Sequence, residues 1–284
     1  ETMSNSLTTT AYSDLIADIN KNQQVAILNP LSQDLSIMRQ TLLFGGLESI
    51  AYNINRKKAD LKYFEFGKTY SKTLSGYEEY KHLALFATGN SNGINWNTPA
   101  TSVDFFLFKG YIDALLLRLG LKNIETQPNE NDIFSEGISY YLGDRKVVSF
   151  GNVKKSILKH FDIKQDVFYA DFNWNTILNV VSSKIKFAEI SKYPVVKRDL
   201  ALLIKNEVSF ADVYKIVKQV DKNLISDVSL FDVYQGDKLP EGTKSYAISM
   251  KLQDKDKTLT DAQIDKIMSK IQNQLQTEVG AELR

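Results

Sequence analysis

Cysteine is absent from the 284 residues, and histidine occurs only twice. The lack of cysteine excludes disulfide bonds, a thiolate nucleophile and a cysteine-bound iron–sulfur cluster. A zinc site would have to rely on carboxylates, because His82 and His160 lie far apart and neither has a second ligand at metal spacing. The sequence therefore predicts no catalytic metal and no cofactor held by this chain itself.

Long apolar runs are also absent. The strongest candidate, residues 113–119, is interrupted by Arg118, whereas a membrane span needs roughly 20 apolar residues. A composition with 43% hydrophobic and 24% charged residues is typical of a soluble protein with about two domains. Because the chain opens at Glu1 without the features of a signal peptide, we expect a piece of a longer cytoplasmic protein.

Neither sign of charge is in excess, since the sequence has 35 Lys and Arg and 34 Asp and Glu. Any contact with nucleic acid must therefore come from a local patch. Phosphate-binding glycine loops of the Walker and dinucleotide types are missing. Residues 89–93 match the letters of a nucleophile elbow, but the sequence after them does not favour the helix that the elbow requires. We interpret this segment as a loop.

Apolar spacing predicts an α+β organisation for the first part of the chain. Helices are predicted over Ser4–Lys21, Thr41–Arg56 and Ser102–Leu119, and strands over Val25–Leu28, Leu61–Tyr70, His82–Thr88, Gly137–Val153 (a hairpin) and Val167–Trp174. Strands joined by hairpins, without regular alternation with helices, favour an antiparallel sheet flanked by helices.

A second domain is predicted to follow, so that the division is 1–190 and 191–284. Its expected elements are strand Arg198–Ile204, helix Ser209–Val220, strands Leu224–Tyr234 and Lys244–Leu252, helix Asp261–Val279 and strand Ala281–Arg284. This βαββαβ order is the ferredoxin-like arrangement. Capping-box patterns at Ser209 and Thr260 mark both helix starts. The apolar faces of both helices should cover one side of the sheet and leave the other open.

The open side of that sheet is the most informative surface in the sequence. Alternation sends Tyr246 and Ile248 towards the core and the small residues Ser245, Ala247 and Ser249 the other way. Lys197 and Lys251 at the edges, with Phe231 as a stacking partner, would suit single-stranded RNA. A solvated sheet or a sheet covered by a protein partner remains open, because residues 193–284 hold 14 Lys and Arg and 14 Asp and Glu.

Long motifs throughout the chain resemble the beta subunits of bacterial phenylalanyl-tRNA synthetases. In the first domain they are Asn29–Leu43, Asn53–Arg56, Phe64–Lys68, Trp96, Val103–Phe106 and Lys109–Gly110, and in the second they are Tyr193–Ala201, Phe231–Gly236, Gly242–Ser245, Thr258–Asp261 and Gly280–Arg284. The resemblance implies a core with a class II synthetase-like antiparallel sheet, followed by a ferredoxin-fold anticodon-binding domain.

The resemblance also implies a division of labour between subunits. The core would dock a catalytic alpha subunit in an α2β2 assembly, and the second domain would bind the anticodon stem-loop of tRNA(Phe), with no role for DNA or a membrane. ATP and Mg would belong to the holoenzyme. The residues expected to contact tRNA are Lys197, Arg198, Phe231, Lys244, Lys251 and Arg284.

Departures from the catalytic relatives support a noncatalytic core. Ser71 stands where such relatives carry an arginine for the α-phosphate of ATP, and a hydroxyl lacks the delocalised charge that a phosphate clamp requires. The third class II motif, with its second arginine, has no counterpart. Lys154 and Lys155 stand where the family commonly has His-Pro. Because the chain starts inside the family pattern, we expect the upstream modules, including the editing module, to be absent from it.

Two other functions remain open at the level of the sequence. One is an ATP-dependent ligase that is complete in itself. The other is a protein-interaction module whose open sheet binds another subunit and not RNA.

Overall fold

A computed structural model describes every residue except 94, 123, 130, 183–186 and 188. The chain forms two compact units, Glu1–Ile185 and Lys186–Arg284. The division after residue 190 stays a prediction for the functional domains. Of the described helices, none has the length and apolar composition that a membrane crossing needs.

The first unit contains a six-stranded antiparallel sheet with the strand order β3-β4-β8-β7-β6-β5, and a separate pair, β1 with β2. Its strands are β1 Leu7–Thr8, β2 Ile37–Met38, β3 Leu61–Thr73, β4 Gly76–Thr88, β5 Glu125–Pro128, β6 Phe134–Leu142, β7 Arg145–Val153 and β8 Val167–Asn173. Its α-helices are α1 Leu43–Ile54, α2 Phe105–Arg118, α3 Lys155–His160 and α4 Trp174–Val180. Three short 3-10 helices lie at Thr10–Asp14, Lys21–Gln23 and Gln33–Leu35.

Helices cover both faces of this sheet, because alternate residues of each strand enter different cores. On β4, Ala84 and Phe86 belong to the core that contains α1, whereas Leu83 and Ala87 belong to the core that contains α2. A Cβ atom on Gly46 of α1 would lie 2.1 Å from the Phe86 ring. This glycine, which costs about 1 kcal/mol in helix propensity relative to alanine, therefore permits the close approach of helix and sheet.

The helix predicted over Ser4–Lys21 is wrong. The segment instead contains β1, in which Leu7 pairs with Met38, and then the 3-10 helix Thr10–Asp14. Thr9 has an extended backbone, and its hydroxyl accepts a hydrogen bond from Ala11 N. β-Branched threonines disfavour an α-helix and favour strands and caps, so pairing with a distant strand overrides the apolar spacing.

Smaller differences also concern the first unit. The strand predicted over Val25–Leu28 is reduced to a single bridge between Ala26 and Ile37. The short elements β2, β5 and α4 were not predicted. The strand predicted over His82–Thr88 is present but already begins at Gly76, and the other predicted helices and strands of this unit are present with ends that differ by a few residues.

The second unit has the predicted βαββαβ order, so the α+β fold class is confirmed. Its elements are β9 Val196–Lys205, α5 Phe210–Val220, β10 Ile225–Tyr234, β11 Thr243–Leu252, α6 Asp261–Val279 and β12 Glu282–Leu283. The strands are antiparallel in the order β10-β11-β9-β12. Both capping boxes form, and Gly280 ends α6 with a left-handed φ of 64°. The core joins Leu202, Ile248 and Ile271 on the helix side of the sheet.

Candidate nucleic-acid interface

The side of the second sheet opposite α5 and α6 is formed by alternate residues of its two central strands. We call it the open face, and define it by Lys197, Asp199, Ala201 and Leu203 on β9 and Ser245, Ala247, Ser249 and Lys251 on β11. The strands pair residue by residue, with Ala247 opposite Ala201 and Ile248 opposite Leu200 on the other side. The predicted alternation of β11 is therefore confirmed.

Two lysines lie next to each other at one end of the open face. Lys197 and Lys251 are direct cross-strand partners, and both are exposed. Lys251 Nζ lies 3.0 Å from Asp227 Oδ2 on β10, while Lys197 has no ion pair among the described residues. Because an exposed ion pair contributes only about 0 to 1 kcal/mol, a phosphate could replace Asp227 as the partner of Lys251 at little cost.

An arginine and a tyrosine meet further along the open face. Arg284 N donates to Ala201 O at 3.0 Å, and Arg284 Cζ lies 5.5 Å from the centroid of the Tyr234 ring. Tyr234 is the cross-strand partner of Ser245, which places it on the same side of the sheet. The short side chains of Ala201 and Ala247 leave room for both long side chains above the central strands. The sequence reasoning missed Tyr234 as a site residue, although its open-face register was a usable signal.

Phe231 lies on the edge strand β10, at a register shift between Leu230 and Asp232. A strand bulge of this kind re-aims side chains at a sheet edge. The Phe231 side chain is 59% exposed, so its ring is accessible to a stacking partner.

Lys244 and Arg198 do not lie on the open face. Lys244 pairs with Ile204 on the helix side, is 8% exposed, and donates from Nζ to Asn206 O at 2.8 Å. Arg198 pairs with buried Met250 on the same side. The physical reason is the two-residue period of a strand, which places both side chains on the core side of the sheet. The structure thus brings Lys197, Lys251 and Arg284 to one surface, with Phe231 at its edge.

Acidic groups share the open face with these cations. Asp199 is exposed on β9, and Asp227 and Asp232 of β10 pair with open-face residues of β11. The charges of the open face are therefore mixed, and an attraction for phosphate would act locally and not through the overall field. Ser249, at the centre, is 4% exposed, and its Oγ has no hydrogen-bond partner among the described residues.

The first unit contains a partly buried arrangement of polar side chains that the sequence did not reveal. His82 Nδ1 lies 2.7 Å from Asp171 Oδ1, and His82 Nε2 lies 3.1 Å from Thr69 Oγ1. A hydroxyl, imidazole and carboxylate in this order resemble a hydrolytic triad, but Thr69 is only 4% exposed and is absent from the lining of the neighbouring cavity. We therefore interpret the arrangement as structural.

The surroundings of Ser71 do not suit a nucleotide. Ser71 lies on β3 directly opposite Glu78, whose carboxylate would repel a phosphate. Within the part of the chain that the structure describes, no three His, Asp or Glu side chains come together as a metal site.

Comparison with protein families matches both units. The family model described as phenylalanyl tRNA synthetase beta chain CLM domain matches residues 1–174, and that described as ferredoxin-fold anticodon binding domain matches residues 191–284.

Individual relatives cover the whole chain. The phenylalanine–tRNA ligase beta subunit of Bacteroides thetaiotaomicron is 46% identical over 100% of this chain and 36% of that protein. The beta subunit of Porphyromonas gingivalis is 35% identical with the same coverage. The chain thus spans about a third of the length of these curated relatives. Among solved structures, a pyrrolysyl-tRNA synthetase from Desulfitobacterium hafniense aligns with 63% of this chain and 61% of that chain at 14% identity, with a TM-score of 0.47, which is too low to support an argument.

Proposed function

Because the chain belongs to the phenylalanyl-tRNA synthetase beta chain family, we propose that it is a noncatalytic part of the beta subunit of phenylalanine–tRNA ligase. In this proposal the first unit scaffolds a catalytic alpha subunit in an α2β2 enzyme of the cytoplasm. The second unit binds the anticodon stem-loop of tRNA(Phe). ATP and Mg act at the alpha subunit during charging with phenylalanine.

The open face is the observation that carries the RNA part of this proposal. Proteins that bind single-stranded RNA on a sheet combine aromatic rings that stack on bases with cations that contact phosphates. Here Phe231 and Tyr234 supply exposed or half-buried rings, and Lys197, Lys251 and Arg284 supply the cations. The small side chains at the centre let Tyr234 and Arg284 lie above the central strands, so these two side chains are the surface that a base would contact there.

The residue at position 71 supports the noncatalytic part of the proposal. Ser71 stands where the family resemblance places the phosphate-binding arginine of catalytic relatives, and it pairs with Glu78, whose carboxylate would repel a phosphate, across β3 and β4. A pyrophosphate exchange assay on the chain without an alpha subunit should show no phenylalanine-dependent activity. Activity without a partner would instead establish a ligase complete in itself.

RNA binding is tested by replacing the two neighbouring lysines singly. Lys197→Ala and Lys251→Ala should each weaken the binding of tRNA(Phe) to the alpha–beta assembly. Each should also reduce the slope of log K against log salt by about one unit per lost phosphate contact. Phe231→Ala should cost about 1 to 3 kcal/mol if its ring stacks on one base. Filter binding across a salt series measures all three effects.

Lys266→Ala is the matched control. Lys266 is an exposed lysine of α6, the helix that packs on the other side of the sheet, so its loss changes net charge equally without touching the open face. If the Lys197, Lys251 and Lys266 variants show the same affinity and salt slope, RNA does not bind the open face.

The mixed charge of the open face favours a second candidate, a docking surface for another protein subunit. Residues 193–284 include 14 Lys and Arg and 14 Asp and Glu, and Asp199 is exposed on the open face. Such a mixed surface suits a protein partner that carries charges of both signs. In that case Lys197→Ala and Lys251→Ala would weaken copurification with the alpha subunit and leave tRNA binding unchanged.

A further inference from the structure

The first unit contains a cavity of about 250 Å³ on the face of its six-stranded sheet that α1 covers in part. Strands β4, β7 and β8 line it with polar side chains, among them His82, Ser149 and Asp171. The segments around Ile19 and Ile133 line it with apolar groups. The cavity is therefore amphipathic, and it belongs to none of the RNA-binding elements described above.

Two polar groups that line this cavity have a hydrogen-bonding capacity that the described residues leave unused. The hydroxyl of Tyr169, a fully buried residue, interacts with the side chain of Thr41, which lowers the pKa of Tyr169 as a donor does, but the Tyr169 proton has no acceptor among the described residues. Gln40 donates from Nε2 to Asn20 O at 3.2 Å, but its buried Oε1 accepts no hydrogen bond from the described residues. A buried donor or acceptor that stays unused costs about 1 to 3 kcal/mol, so one of each in the same cavity favours a ligand that uses both.

The unused donor of Tyr169 and the unused acceptor of Gln40 have complementary roles. Burial, and then the charge of Asp171, raises the pKa of Tyr169 well above its usual value, so the hydroxyl remains a hydrogen-bond donor at neutral pH. The hydrogen bond to Asn20 fixes the orientation of the Gln40 amide, which leaves Oε1 as an acceptor. A ligand that satisfies both atoms must carry an acceptor and a donor.

Charged groups of both signs line the same cavity. Lys146 is exposed and has no ion pair among the described residues. Asp171 is held by His82 at 2.7 Å, and Asp18 Oδ2 accepts from Asp132 N at 3.2 Å. An ammonium group and a carboxylate group could therefore each find an opposite charge within the cavity.

We propose that this cavity binds a free α-amino acid with an apolar side chain. The carboxylate of the ligand accepts from the Tyr169 hydroxyl and faces Lys146. Its ammonium group donates to Gln40 Oε1 and faces the carboxylates of Asp18 and Asp171, and its side chain packs on the apolar wall. The volume lies below the roughly 300 to 1,000 Å³ of pockets for drug-sized ligands, which suits a molecule as small as one amino acid.

Calorimetric titration of the 284-residue chain tests the proposal with four probes. L-Phenylalanine or L-leucine should bind, whereas 2-phenylethylamine and 3-phenylpropionate, which each lack one charged group, should bind at least about 10-fold more weakly. Binding in this assay requires neither tRNA nor an alpha subunit, so its outcome is independent of the function proposed above.

Tyr169→Phe should weaken amino-acid binding about 10-fold or more, because it removes a donor to a charged group. Its thermal stability should fall less than that of Tyr140→Phe, because the Tyr169 proton has no acceptor among the described residues and the hydroxyl interacts with Thr41 as an acceptor. Tyr140→Phe is the matched control on the other face of the sheet. Its hydroxyl donates to Asp113 Oδ1 at 2.8 Å, so this variant should lose stability and keep the affinity. Gln40→Met removes the acceptor and should also weaken amino-acid binding.

Methyl NMR locates the bound probe, and the resonances of Ile19 and Ile133 should shift during the titration. The proposal is overturned if none of the four probes produces binding heat. Equal affinities of the wild-type, Tyr169→Phe and Gln40→Met chains would also overturn it, as would shifts confined to methyl groups elsewhere.

Discussion

The two sheets of this protein are both antiparallel, but one is covered on both faces and the other on one. The first unit contains polar side chains that are enclosed and paired with each other. Examples are Arg39 with Glu65 at 2.8 Å and Ser139 with Ser149 at 2.9 Å. In the second unit, Lys197 and Asp199 point outwards. The same two-residue alternation thus produces a buried polar network in one unit and an accessible surface in the other.

The difference has an energetic consequence. A buried charge requires its partner, so polar residues of the first sheet are expected to govern stability. Exposed polar residues of the second sheet contribute little to stability and remain available for binding. The predictions below test this contrast in order of decreasing effect on the free energy of unfolding.

The largest effect is expected for Glu65→Gln in the first sheet. The substitution leaves the Arg39 guanidinium, whose side chain is 8% exposed, without its ionic partner, and breaking a buried pair in this way costs about 3 to 5 kcal/mol. Urea unfolding followed by tryptophan fluorescence reports on this unit, because Trp96 and Trp174 both belong to it. Glu79→Gln, which removes the exposed partner of Lys68, should cost less than about 1 kcal/mol. Equal costs would contradict the contrast between buried and exposed pairs.

The next largest effect on stability is expected on the core side of β11, in comparison with its open-face side. Ile248 is fully buried against the helices, so Ile248→Ala should cost about 2 to 5 kcal/mol. Ser249→Ala, one residue further along, removes a buried hydroxyl that has no partner among the described residues and should not lower stability. Hydrogen exchange of the α6 amides measures both. A large cost for Ser249→Ala would show that the open face is also structural.

A smaller effect is expected at the start of α5, where Asp212 completes a capping box with Ser209. Hydrogen bonds from the Ser209 side chain and backbone lower the pKa of Asp212. Asp212→Asn should therefore cost about 1 kcal/mol at pH 7. Because the folded-state pKa is lowered, the contribution is present above the ordinary pKa of aspartate and is lost as pH falls through the lowered value. Unfolding of both proteins at pH 7 and pH 3 should show the difference shrinking, and a constant difference would contradict it.

The smallest effect is expected for Lys251→Ala on the open face. Lys251 and Asp227 are about half exposed, so the variant should lose less than about 0.5 kcal/mol of stability. Denaturant unfolding measures this loss, and the same variant should weaken tRNA binding. A variant that unfolds more easily and binds tRNA normally would reverse the roles assigned to this surface.

Elements with strong local signals were predicted well. Helix α6 has the predicted bounds Asp261–Val279, with the predicted capping box at its start and Gly280 at its end. The hairpin predicted over Gly137–Val153 forms from β6 and β7, with its turn at Gly143 and Asp144 and a positive φ of 58° at Gly143. In both cases the residues that determine the conformation lie within a few positions of each other, so the sequence contains the whole signal.

The wrong helix at Ser4–Lys21 has a different origin. Leu7 carries an apolar spacing that suits a helix, yet its pairing with Met38 decides its conformation. RNA contacts of Lys244 and Arg198 stay predictions, although strand alternation puts both residues on the core side of the sheet, opposite Lys251. That side could be read from the sequence, whereas the pairing of Leu7 could not.

The sequence by itself determined the family resemblance, the βαββαβ order and the side of β11 on which Lys251 lies. Tertiary structure alone decided that His82 meets Asp171, 89 positions away, that Arg39 is buried against Glu65, and that Tyr169 and Gln40 line one cavity. The physical reason is the distance along the chain between the residues that interact. Caps, turns and strand alternation depend on neighbouring residues, whereas the burial and pairing of polar groups depend on which distant strands and helices the fold brings together.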